Sequence, residues 1–244
     1  SFKRLTGPVK NLSGATLALS DAGKWGDSGP ALQLINNGTL VKSGPAATTA
    51  SAVLTNSGLV RVEGGTLSFE SGGIHTGDFV VSSGATLALS GDHTLAAGAD
   101  ISGAGGVSLG VGTFTSSGAF TASGPVNIAG AIASFQGAFT AGAVTLLSGS
   151  VSLAGGGSAS SWWNGGRMEL GNKTLSLTGG YIQTAAGVLA VRMDGKLPGQ
   201  FGRVTSNGAI SLSGGVEISW APGYRPLDAT PFDFLAHIQH RCPA

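Results

Sequence analysis

The octapeptide SGATLALS occurs twice, at Ser13–Ser20 and at Ser83–Ser90, among near copies: NNGTLVKSG (Asn36–Gly44), EGGTLSFESGG (Glu63–Gly73) and GNKTLSLTGG (Gly171–Gly180). Each is a short run built on Thr-Leu between corners rich in glycine and serine. Within the runs the side chains alternate. Leu17, Leu19, Leu67, Phe69, Leu87 and Leu89 fall on one side, and Thr16, Ala18, Thr66, Ser68, Thr86 and Ala88 on the other. A period of two over four or five residues, bounded by Gly, is the pattern of a strand. Helix is excluded by the punctuation: 43 glycines in 244 residues would interrupt a helical face about every six residues.

The copies recur at the spacing of a solenoid. Thr39, Thr66 and Thr86 mark three of them, and FTASGPVNIAG from Phe120 is followed by FTAGAVTLLSG from Phe139. A step of about 20 residues predicts coils stacked about 4.8 Å apart, with like residue over like residue inside and Gly at the corners. That is an all-β chain folded as a right-handed parallel β-helix. A β-sandwich also has evenly spaced strands, but its strands face different neighbours and have no reason to share a phrase. Lys42 would point inward if its strand ran past Val41, so the pattern predicts that this strand stops there.

The expected organisation is an N-terminal cap over 1–30, β-helix repeats over 31–186, C-terminal cap strands over 187–235 and a tail over 236–244. From Gly187 charge rises, Pro198, Pro222, Pro226 and Pro231 appear, and the runs VLAVRM and VEISW lengthen. These features predict antiparallel or irregular strands that cover the last coil, whose open edge would otherwise recruit a second molecule end to end.

Composition narrows the function. The 13 basic and 12 acidic residues are scattered, with no basic run longer than Lys3-Arg4, so phosphate neutralisation along a nucleic acid is not expected. No apolar stretch approaches the roughly 18 residues of a membrane span. A lone Cys242 allows no internal disulfide. The opening SFKRLTGPVK has no apolar signal core, so the expectation is an export signal that was removed or lies upstream.

The phrase LINNGTLVKSGPAATTASAVLTNSGLVRVEGGTLSFESGG (Leu34–Gly73) resembles the repeats of large bacterial surface proteins with β-helical passenger domains. The closing segment, through Pro198, Gly199, Phe201, Val204, Gly208, Leu212, Gly214, Gly223, Tyr224 and Pro226, resembles the capping strands of autotransporter passengers. The resemblance covers roughly Leu34–Gly124 and Gly187–Phe234. It departs from the family where Gly202 and Arg203, rather than an acidic residue, follow Phe201. It implies an adhesin-type β-helix at the cell surface or outside the cell, with a surface glycan or protein as partner and no cofactor.

Four groups of residues are candidates for a site. Trp162 and Trp163 are adjacent, so in a strand one faces in and the other could offer a stacking face to a sugar ring. Tyr181, about one coil later, would extend that platform; the plainer account makes both indoles packing groups. Asp78 and Asp100, near one period apart and close to His75, Asp92 and His93, are the residue types of a polysaccharide lyase or hydrolase. Gly-Asp turns explain them equally. His237, His240 and Cys242 are metal-ligand types, but a closed site needs a fourth ligand and a fixed scaffold, and none is expected. Thr39, Thr66 and Thr86 would stack as an outward hydroxyl column of the ice-binding kind, although Thr favours strands in any case. The function expected first is a non-enzymatic, rigid adhesion or spacer segment, with a carbohydrate-active or ice-binding solenoid as alternatives.

Overall fold

Thr66–Phe69 pairs in parallel with Thr86–Leu89, setting Leu67 beside Leu87 and Phe69 beside Leu89, and Thr86–Leu89 pairs onward with Gly106–Leu109. This ladder repeats through the whole computed structural model, which describes residues 7–20, 22–25, 32–225 and 233–237. Those residues hold strands and no helix. The chain is a parallel β-solenoid, each coil giving one strand to each of three faces.

The first face runs from Val9–Asn11 through Leu32–Asn36, Ala52–Asn56, Gly73–His75 and His93–Leu95 to Gly215–Trp220. The second runs from Thr16–Leu19 through Thr39–Lys42 and Leu59–Val62 to Leu235–His237. The third runs from Gly23–Trp25 through Ala47–Ala50 and Thr66–Phe69 to Ile210–Leu212. The two identical octapeptides therefore stand on different faces, Thr16–Leu19 on the second and Thr86–Leu89 on the third. The repeating unit of the sequence is a strand rather than a coil. The faces share a pattern in which inward positions are mostly apolar, so one strand phrase can serve any of them.

The interior is a stack of like on like. Phe79, Ile101, Phe120 and Phe139 follow one another inside the second face, with the Phe120 and Phe139 rings stacked at 5.3 Å. Leu67, Leu87, Val107, Val126 and Val144 do so inside the third, and all are buried. The corners close because glycine stacks on glycine. A methyl group on Gly58 would strike the carbonyl oxygen of Gly38, and one on Gly77 would strike that of Gly58.

Three expectations meet a different structure. Thr39–Lys42 does include Lys42, and its side chain is fully buried. Its Nζ donates to the carbonyls of Ser43 at 2.7 Å, Gly44 at 3.0 Å and Gly64 at 3.3 Å, so the charge is solvated by corner backbone instead of water. The described strands after Gly187 are parallel, not antiparallel or irregular. Val188–Met193 pairs in parallel with Arg167–Gly171 and with Gly215–Trp220. The described antiparallel contact there is the isolated bridge Met193↔Phe201. Between Val188–Met193 and Arg203–Ser206 the corner is enlarged, and there Asp194 N and Gly195 N both donate to the Gln200 carbonyl. The parallel pairing likewise begins before residue 31, because Val9–Asn11 and Thr16–Leu19 already carry the strands above them.

Candidate functional site

The strand over 157–164 crosses the second and third faces and alternates its side chains. Trp162 points inward and is 1% exposed, tilted against Phe139 at 6.0 Å. Tyr181, its register neighbour on the next coil, is buried too, which removes it from any surface platform. The odd–even alternation that exposes Trp163 puts its partner Ile182, and not Tyr181, outside. The Tyr181 hydroxyl donates to Gln183 Oε1 at 2.7 Å and accepts from Asn164 Nδ2 at 3.2 Å. Burial pushes its phenol up to about 12.

Trp163 faces outward and is half-buried. Its ring lies across Gly165, where a methyl group would strike the outer edge of the indole. Thr145 lies beneath it and Ile182 above it in register. Ile182 and the neighbouring corner residue Leu147 are both exposed. The result is an apolar plate bordered by the hydroxyls of Ser161 and Thr145.

Around the corner formed by Gly165 and Gly166 the first face opens into a groove of about 180 Å³, lined by Arg167, Glu169, Arg192, Glu217 and Ser219 among others. Arg167 Nη1 meets Glu217 Oε2 at 2.6 Å, and Arg192 Nε meets Asp194 Oδ1 at 2.6 Å. The Arg192 guanidinium holds the Asp194 carboxyl below the usual carboxylate range. Sequence reasoning missed this groove. Its signal was present in RMELG, VLAVRM and GVEISW, whose charged residues share one outward face once the strands are placed in register.

The acid–base candidates separate. Asp78 and Asp100 do stack at one corner, but Asp78 Oδ1 accepts from Asp100 N at 3.0 Å and Asp100 Oδ1 accepts from Ala119 N at 2.9 Å. Asp92 Oδ1 accepts from the N–H and hydroxyl of Thr113, and these donors hold its carboxyl below the usual range. Each carboxylate thus ties one coil to the next. His75 and His93 are buried inside the coil, while these carboxylates point outward.

The expected threonine column does not form. Thr66 and Thr86 stack on the third face, whereas Thr39 stands on the second, between Thr16 and Leu59. The second face carries a hydroxyl column of its own, Ser102, Thr121, Thr140, Ser158, Ser176 and Thr205. Inside the first face an asparagine ladder was also missed. Asn11 Nδ2 donates to Asn36 Oδ1 at 2.7 Å, and Asn36 Nδ2 donates to Asn56 Oδ1 at 2.7 Å. The candidate ligands His240 and Cys242 lie outside the described residues. Comparison of the chain with protein-family models, with curated proteins and with solved structures gives no match.

Proposed function

We propose that the chain is a rigid, non-enzymatic adhesion segment of an exported surface protein, and that it holds a glycan at the Trp163 corner. The observation that carries the proposal is the outward Trp163 indole, flanked in register by Thr145 and the exposed Ile182. Trp163, Ile182 and Leu147 supply an apolar plate for the C–H face of a sugar ring. The Arg167–Glu217 groove one corner away supplies donors and acceptors for the ring's hydroxyls. The scaffold supports a binding role: the strand carrying Trp163 is paired on both sides, with Thr145 below and Ile182 above, which fixes its backbone.

Screening the purified chain on a glycan array, followed by the same array with Trp163→Ala, tests this. Binding to one glycan class should fall about tenfold in the variant, the loss expected for one stacking contact. Unchanged binding by Trp163→Ala would remove the platform. Turnover of a polysaccharide, abolished by Asp100→Asn, would replace adhesion with catalysis.

A further inference from the structure

The interior column that carries the asparagine ladder continues into a histidine pair. Asn56 is followed in register by His75, and the His75 and His93 rings stack at 5.2 Å, both essentially unexposed. His75 Nε2 lies 2.9 Å from His93 Nδ1, and His93 Nε2 lies 3.1 Å from the Ser90 carbonyl oxygen. This geometry assigns the protons. A carbonyl only accepts, so His93 carries its hydrogen on Nε2 and accepts at Nδ1. His75 must then donate from Nε2, which leaves its Nδ1 bare, and that atom is buried with no hydrogen-bond partner. Both rings are neutral in this chain, and a further proton has no place in it. On His93 Nδ1 it would confront the N–H of His75. On His75 Nδ1 it would be a buried charge with no acceptor.

The surroundings relieve His93 only in part, through the Ser90 and Phe69 carbonyls and the Asp92 charge, and burial outweighs them. Phe79 and His75 pack in a T-shaped arrangement at 5.0 Å, and the flanking strands contribute Asn56 and Phe114. The nearby charges are outward carboxylates already engaged: Asp92 by Thr113, Glu70 by Ser51, Asp78 by Asp100 N and Asp100 by Ala119 N. Of these, Asp92 is the one whose charge reaches His93.

We propose that the His75–His93 pair is an acid-sensitive latch between two coils: protonation of either ring breaks the donor–acceptor chain and loosens Gly73–His75 and His93–Leu95, while the apolar coils beyond them stay paired. Burial, and for His75 the charge its neighbour would carry, holds both imidazoles below their ordinary value, His75 at about 3. With the folded value depressed, the stabilisation is complete above the free-imidazole value and is lost as pH falls below about 6.5 toward 3. From pH 7 to pH 5 the opening equilibrium should shift about 25-fold from His75 alone.

Hydrogen exchange of the full chain at pH 7 and pH 5, corrected for intrinsic exchange rates, reads this directly. Excess exchange should appear at 73–75 and 93–95. It should vanish in the double variant His75→Leu/His93→Phe, which borrows the residues of the next coil, Leu95 and Phe114. An equal pH response in wild type and double variant, or loosening spread evenly along the rod, would overturn the latch. Imidazole nitrogen spectra of the wild type give a test that does not depend on the variant folding. Both rings should remain neutral Nε2–H tautomers for as long as their coils are closed. Titration of either ring near pH 6.5 with the coils intact would overturn the proposal.

Discussion

Thr86 and Leu87 are neighbours on one strand and do opposite work. Leu87 is fully buried between Leu67 and Val107 of the adjacent coils, while Thr86 lies on the outer side. Leu87→Ala should cost about 2–5 kcal/mol, the lost transfer energy plus an unfilled cavity in a close-packed column. Thr86→Ala should cost well under 1 kcal/mol. Equilibrium urea unfolding of both variants checks the assignment, and equal costs would mean that inside and outside are exchanged. This distinction was legible from alternation alone. What a polar residue does at an inward position was not. Lys42, Asn36 and His75 all follow the alternation inward, but their partners are corner carbonyls or side chains a coil away. Nothing local in the sequence names those partners.

At the scale of strands and corners, the short runs between Gly and Ser were readable because period two and glycine punctuation are local signals. The assignment of runs to faces was not readable. A strand phrase that serves all three faces recurs both by whole coils and by thirds of a coil, as Thr39 and Thr66 do on the second and third faces. Asn11, Asn36, Asn56 and His75 end successive first-face strands, and that column becomes visible only once the coils are aligned. The corners give a prediction of their own. Gly58→Ala drives a methyl group into the carbonyl of Gly38 and should destabilise by about 1–3 kcal/mol, since overpacking against backbone has no side chain to yield. Gly98 has open space at the same position, so Gly98→Ala should be close to neutral. Matching losses of Tm in the two variants would show that the corner glycines serve chain flexibility and not close stacking.

For the molecule as a whole, a solenoid places nearly all its contacts between adjacent coils, so its ends set its solubility. The Trp163 plate and its charged groove sit near the C-terminal coils, and the groove itself needs the strand Gly215–Trp220. Pro198 and the charges around it, which predicted a new topology, lie in a longer corner between parallel strands. The central claim is that one parallel ladder runs from Val9 through the segment after Gly187. Ending the chain at Ala186 tests it most directly. That chain strips the neighbours from Tyr181–Gln183 and Arg167–Gly171 and bares their backbone donors and acceptors along the edge. Light scattering and thermal unfolding, with the full chain alongside, should show a lower Tm together with aggregation or end-to-end oligomers. A monomer that keeps the Tm of the full chain would contradict the account, because the closing segment would then be a separate module rather than the last coils of the rod.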